Sequence, residues 1–105
     1  MAKFVHKRFG VKEQDELLEE LCEVLQLLEA SKEKMYFLKD LLGRGERVML
    51  ARRFKIAKFL EEGLTYEEII KLIHVSPGTV ARVERLLNFG RSGYRNAITK
   101  IRTQK

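Results

Sequence analysis

The sequence contains few of the residues that form cross-links, chain breaks or membrane spans. It has one cysteine and one proline in 105 residues, so an internal disulfide cannot form. No apolar run approaches the roughly 20 residues of a membrane span, and the charged N-terminus lacks the apolar segment of a signal peptide. We therefore expect a cytoplasmic protein that does not enter a membrane. Cys22 falls within a helical pattern, and we expect it to be a small, buried apolar residue.

Patterns typical of catalytic and metal sites are also missing. The sequence has no Ser/His/Asp set, no metal-ligand spacing and no glycine-rich phosphate loop. Its two histidines, His6 and His74, fall in an N-terminal arm and in a turn between helices. We therefore expect no catalytic function, no metal and no cofactor.

The composition is that of one small folded domain, residues 1–105, with a charge that is unevenly spread. Hydrophobic residues make up 45% and charged residues 34% of the chain, and the formal net charge is +6. Residues 13–34 carry eight acidic and two basic side chains, whereas residues 71–105 carry eight basic and one acidic. Residues 1–12 form a basic arm. This distribution favours a phosphate-bearing partner at the two ends of the chain.

The apolar spacing predicts an all-α fold of about six helices and no strand. Three helices are expected within residues 13–62, two short ones within residues 65–87, and a last one within residues 93–105. The first and third helices have apolar stripes wider than a small monomer buries on one side. This indicates a homodimer in which residues 13–62 form the interface. The alternative is a compact monomer whose wide stripes meet one another.

Residues 65–87 read as a helix-turn-helix. Thr65 and Glu68 have the spacing of a capping box, which starts the first short helix. His74 follows at the turn, where we expect a left-handed backbone that histidine tolerates. Ser76 then provides an N-cap and Pro77 occupies the first helical position, where its missing N–H is not needed.

The second of these helices has an apolar back and a small, basic front. Val80, Val83 and Leu87 recur at helical spacing on one side. Small, polar and basic side chains share the other side, namely Gly78, Thr79, Ala81, Arg82 and Arg85. Reading the major groove of DNA requires such a front because the helix backbone must come close to the base edges.

A second function class remains open on these residues. Two short helices joined by a tight turn also occur in helical proteins that never touch DNA. The chain could then be a protein–protein adaptor, with the acidic first helix as its binding surface. A steep salt dependence of DNA affinity distinguishes the two, because the adaptor predicts none.

The order of residues from 41 to 98 resembles the tryptophan repressor superfamily. The segment LLNFGRSGY, in which the recognition helix runs into an Asn-aromatic-Gly loop and a Gly-Tyr pair, is similar to its YerC/YecD branch. The residues that carry this likeness are Asn88, Phe89, Gly90, Gly93 and Tyr94. The first thirty residues match only as a long helix preceded by an arm.

This resemblance implies an intertwined homodimer that regulates transcription by binding double-stranded DNA. By position, Pro77, Gly78, Thr79 and Ala81 would face the bases, and Ala81 could offer an apolar contact to a thymine methyl group. Together with the cap and the two arginines, the expected DNA-binding set is Ser76, Pro77, Gly78, Thr79, Ala81, Arg82 and Arg85.

The resemblance also places Arg53 and Arg82 where the tryptophan repressor holds its co-repressor. Each has a simpler interpretation, since Arg53 could pair with a carboxylate and Arg82 could contact phosphate. Val83 replaces a glycine that gives the indole room, Gly43 replaces a pocket threonine, and Leu86 replaces a serine near the ligand amine. A branched side chain in place of hydrogen fills the space that the ring needs. We therefore expect that L-tryptophan is not an effector.

Overall fold

The computed structural model describes residues 10–104, which form six helices and no strand. The helices are α1 (Val11–Leu27), α2 (Ser31–Leu41), α3 (Arg44–Glu61), α4 (Tyr66–Ile73), α5 (Pro77–Phe89) and α6 (Gly93–Thr103). The all-α prediction is confirmed. No helix among the described residues is long and apolar enough to cross a membrane.

The predicted helix boundaries were shifted by a few residues at several ends. The basic arm, residues 1–12, falls largely on residues 1–9, which lie outside the described residues. Its last two residues, Val11 and Lys12, already belong to α1. The apolar spacing predicts a first helix from Glu13 to about Ala30 and a third from Glu46 to Glu62. The first helix instead ends at Leu27, and α3 begins at Arg44. Gly63 follows the C-cap of α3 and adopts a left-handed backbone with φ of 89°, a conformation that glycine tolerates.

The chain divides into two compact units, the first ending at Leu42 and the second beginning at Gly43. In the first unit, α1 and α2 contain no buried residue among those described. Most of their large apolar side chains are instead exposed, for example Leu17 at 50%, Leu18 at 56% and Leu27 at 79%. Cys22 is exposed as well. The expectation that Cys22 is buried was therefore wrong, because apolar spacing along a helix does not reveal what covers the stripe.

The second unit contains the hydrophobic core. Its buried members come from all four helices of the unit and are Ile56, Ala57, Ile69, Val80, Val83, Leu87 and Ile98. Partly buried rings and aliphatic chains pack around them, including Phe54, Phe59 and Tyr94. Burying one such aliphatic side chain stabilises the fold by about 1.5–3 kcal/mol. Three of the seven belong to α5, so one side of this helix packs in the core.

Two N-caps define the α4 and α5 helices, as the sequence predicts. The Thr65 N–H donates to Glu68 Oε1 at 2.8 Å, and the Glu68 N–H donates to Thr65 Oγ1 at 3.2 Å. Ser76 Oγ accepts the Thr79 N–H at 3.1 Å, and Pro77 follows Ser76 at the first helical position. Between the two helices, His74 has φ of 53° and ψ of 60°, the left-handed conformation expected there.

Candidate nucleic-acid interface

The front of α5 is open to solvent, while its back lies in the core. Val80 and Val83 are 0% and 1% exposed, and Leu87 is also buried. Of the seven residues expected to contact DNA, Thr79 is half-buried and the rest are exposed, namely Ser76, Pro77, Gly78, Ala81, Arg82 and Arg85. Helical spacing causes this division, because residues three or four apart share a face.

Gly78 stands at the second position of α5, where its own fold does not require a glycine. A Cβ atom added there would meet only Ser76 Oγ, at 3.9 Å, which is an ordinary van der Waals distance. Its backbone is helical, without the positive φ that favours glycine. Packing within the chain therefore does not require a glycine at this position. The absence of a side chain leaves the backbone of α5 uncovered on its exposed side.

Thr79 is tied into the N-cap by its hydroxyl. Ser76 Oγ and Thr79 Oγ1 lie 2.9 Å apart, and either can be the donor. The threonine hydroxyl is thereby held at the start of α5, next to the exposed Gly78. A hydroxyl carries one hydrogen and two lone pairs, so it retains capacity for a further hydrogen bond.

Two arginines on the front of α5, Arg82 and Arg85, have exposed side chains. Neither guanidinium group forms a hydrogen bond or ion pair with any residue from 10 to 104. Glu84 lies between them in sequence, but Tyr66 Oη donates a hydrogen bond to Glu84 Oε1 at 2.5 Å. This hydrogen bond, together with desolvation and the carboxylate charge, raises the pKa of Tyr66 above its ordinary value. The carboxylate is thus engaged by α4 while both guanidinium groups remain available.

Arg53 and Arg82 line one cavity of about 350 Å³ in the second unit. Met49 and Arg53 of α3 form one side of it, and Arg82, Val83 and Leu86 of α5 form another. Arg53 is half-buried and, like Arg82, has no ion pair among the described residues. The structure therefore brings together the two arginines that the resemblance had paired, and it does not give Arg53 a carboxylate partner.

Tyr94 also lines this cavity, a role that the sequence alone did not indicate. It comes from the first turn of α6, and its half-buried ring packs against the core. Gly43 lies elsewhere, at the N-cap of α3, where its N–H donates to Glu46 Oε1 at 2.7 Å. The loss of a hydroxyl at Gly43 therefore changes nothing in the cavity formed within this unit.

Arg95 is a further residue that the sequence did not single out. Its Nε donates to the Leu87 carbonyl at 3.0 Å, and its Nη2 donates to Asn88 Oδ1 at 2.8 Å. Its Nη1 forms an ion pair with Glu61 at the end of α3. One guanidinium thus ties α6 to the C-terminal ends of α5 and α3. Since Glu61 is 34 residues away, no local motif could have revealed this set.

The second unit has an excess of basic side chains and the first an excess of acidic ones, and a basic excess favours phosphate binding. Residues 43–104 carry thirteen basic and six acidic side chains, whereas residues 10–42 carry four basic and nine acidic. The helix-turn-helix therefore lies in the basic unit. Among the described residues, no cluster of His, Cys, Asp and Glu could hold a metal ion.

Comparison with known families identifies the chain. The family model described as Trp repressor protein matches residues 16–102. The chain belongs to the Trp repressor protein family. Within it, the chain is 33% identical over 91 residues to a Bacillus subtilis (strain 168) protein described as uncharacterized protein YerC, covering 87% of this chain and 84% of that one. The predicted likeness to the YerC-type branch is thus confirmed.

Two solved structures of Trp repressor type share this fold. One is a TrpR-like protein from Eubacterium eligens ATCC 27750, with a TM-score of 0.78 and 31% identity over 82% of this chain and 89% of that chain. The other is a Trp repressor candidate from Staphylococcus aureus, with a TM-score of 0.79 and 28% identity over 96% of both chains. The second match covers a larger share of this chain than the first.

Proposed function

We propose that this chain is a sequence-specific, DNA-binding transcriptional regulator in which α5 enters the major groove. The observation that carries the proposal is the front of α5, where a bare glycine backbone lies beside two exposed arginines whose guanidinium groups have no partner among residues 10–104. Phosphate contacts from such arginines would position the helix, and contacts near Gly78 and Thr79 would read bases. Membership of the Trp repressor family and the basic charge of this unit support the same assignment.

We further propose that the regulator acts as a homodimer in the cytoplasm. The exposed apolar residues of α1 and α2 would form part of the dimer interface, because surfaces of this kind mark protein–protein contacts. The second unit also offers a partner protomer an apolar cavity of about 350 Å³, which is lined in part by Phe54, Leu86 and Tyr94. A single helix-turn-helix contacts few base pairs, so a two-fold pair of them gives the specificity that a regulator needs. Sedimentation equilibrium should show a dimer, and a stable, folded monomer at micromolar concentration would contradict this.

Under this proposal L-tryptophan is not the effector. Val83 stands where the resemblance implies a glycine, and it lines the same cavity as Arg53 and Arg82, so its side chain takes space that the indole ring would need. Leu86 offers no acceptor for a ligand amine. Binding of L-tryptophan should therefore be millimolar or weaker in a calorimetric titration. Micromolar binding, or tryptophan-dependent affinity for DNA, would refute this part of the proposal.

Salt titrations of DNA binding test the assignment of α5. Arg82→Ala and Arg85→Ala should each weaken binding to every duplex and flatten the logarithmic salt slope by about one unit. Thr79→Ala should instead change sequence preference more than overall affinity. Lys100→Ala, which removes the same charge from the exposed surface of α6, is the matched control and should have the smallest effect. Unchanged affinity in all three α5 variants would reject this assignment, and a wild-type chain without salt-dependent DNA affinity would favour the adaptor.

A further inference from the structure

We infer that Tyr66 is a positioning residue, which holds the recognition helix α5 at the angle needed for base reading through its hydrogen bond to Glu84. The inference rests on the proposed DNA binding and assigns a specificity role to two residues that do not face the DNA. The hydrogen bond spans the two helices of the helix-turn-helix, from the first residue of α4 to the middle of α5.

Tyr66 is itself held firmly on the α4 side. It follows Thr65 directly, so the capping box between Thr65 and Glu68 fixes its backbone at the start of the helix. Its half-buried ring packs against the core of the second unit. Because both the backbone and the ring of Tyr66 are held in place, its hydroxyl acts as a fixed donor. The hydrogen bond therefore orients α5, the helix that carries the acceptor Glu84.

Glu84 lies on the flank of α5, between its buried back and its exposed front. It follows the buried Val83 and stands four residues after the buried Val80, which places it beside the core face, toward α4. The carboxylate oxygen that accepts from Tyr66 is therefore drawn away from the arginine-bearing front. Phosphate groups repel an acidic side chain in a helix that contacts them. The hydrogen bond from Tyr66 holds the Glu84 carboxylate on the flank of α5, away from the front that would face the phosphates.

The hydrogen bond supplies directional control that the core alone lacks. Val80, Val83 and Leu87 are aliphatic, and aliphatic packing tolerates small rotations of a helix better than a hydrogen bond does. Arg95 binds α5 only at its C-terminal end, at Leu87 and Asn88. Tyr66 acts closer to the N-terminal turns, which contain Gly78 and Thr79. A short hydrogen bond to a carboxylate is also stronger than one between neutral groups.

The test compares specific with non-specific affinity in Tyr66→Phe, which removes the hydroxyl and keeps the ring. The ratio of affinity for the preferred duplex to affinity for a scrambled duplex should fall about tenfold, the effect of weakening one base contact. Thr99→Val removes a hydroxyl from the exposed Thr99 of α6 and should leave the ratio unchanged. Thermal melts of both variants establish that binding is measured on folded protein.

Variants of Glu84 separate positioning from a general structural role. Glu84→Gln retains an oxygen that accepts from the Tyr66 hydroxyl and should keep the wild-type ratio. Glu84→Ala removes the acceptor, so its ratio of specific to non-specific affinity should fall as far as that of Tyr66→Phe. A residue that only stabilised the fold would lower the melting temperature without changing the ratio measured well below it. An unchanged ratio in Tyr66→Phe, or equal losses in Glu84→Gln and Glu84→Ala, would overturn the inference while leaving DNA binding by α5 intact. A wild-type chain that prefers no duplex would instead overturn the proposed function, and this inference with it.

Discussion

Replacing Gly78 with alanine should make the protein more stable and a poorer DNA binder. Most interface variants lower stability and binding together, so their effects are difficult to separate. At Gly78 the two effects should have opposite signs, because the added methyl group meets no atom of the chain closer than 3.9 Å. The same methyl group would project from the exposed side of α5, where the helix is proposed to approach the base edges.

The magnitude follows from two separate effects. Alanine restricts the unfolded chain more than glycine does, which stabilises a compatible helical site by about 0.4–1 kcal/mol. An increase of this size raises the melting temperature of a small domain by a few degrees. Inserting a methyl group into a closely packed interface costs about 1–3 kcal/mol, so affinity for the preferred duplex should fall at least about fivefold.

Gly45→Ala provides a matched control within the same chain. Gly45 is the second residue of α3, as Gly78 is of α5, and a Cβ atom there meets nothing within 4 Å. Both variants should melt at higher temperature than the wild type in calorimetry. In fluorescence anisotropy with a labelled duplex, only Gly78→Ala should lose affinity. Unchanged affinity in Gly78→Ala would show that α5 does not need a bare backbone at this position to approach DNA.

Three further predictions concern stability. Gly90→Ala should destabilise the fold by about 1–3 kcal/mol in chemical denaturation, because its Cβ atom would lie 2.3 Å from the Leu86 carbonyl oxygen; a neutral effect would contradict the backbone path after α5. His74→Gly should stabilise by up to about 1 kcal/mol, since a non-glycine residue at φ of 53° is strained, and a lower melting temperature would contradict this. Hydrogen bonds from the Thr65 N–H and hydroxyl lower the pKa of Glu68 below its ordinary value of 4.5. The stability that Glu68 contributes is therefore present above pH 4.5 and lost as the pH falls below it. In Glu68→Gln the free energy of unfolding should fall less steeply with decreasing pH in this range than in the wild type. An identical pH dependence in the two proteins would contradict the stabilising role of the Glu68 carboxylate.

Features that depend on a few consecutive residues could be predicted from the sequence. The capping box at Thr65, the left-handed His74 and the Ser76-Pro77 start each involve residues at most three positions apart. The hydroxyls, carboxylates and ring that form them leave few alternative conformations. The exposed and buried sides of α5 could also be predicted from the sequence, because residues three or four apart lie on the same side of a helix.

Features that depend on the tertiary arrangement could not be predicted. Tyr66 meets Glu84 across 18 residues and Arg95 meets Glu61 across 34, and many other donors in the sequence could have taken those partners. Cys22 shows the same difficulty for burial, since its apolar spacing is clear but the surface that would cover it belongs to no local pattern. Tyr94 reached the cavity beside Arg53 only because α6 packs against α3 and α5.

Selection of binding sites from random duplexes, at a fixed and stated salt concentration, is the most direct test of DNA reading by α5. We expect an enriched motif made of two related half-sites whose centres lie about 10 base pairs apart, as a two-fold pair of recognition helices requires. Repeating the selection with Thr79→Ala should change the bases preferred within each half-site. A pool that shows no enrichment after repeated rounds with the wild-type protein would contradict sequence-specific DNA binding by α5.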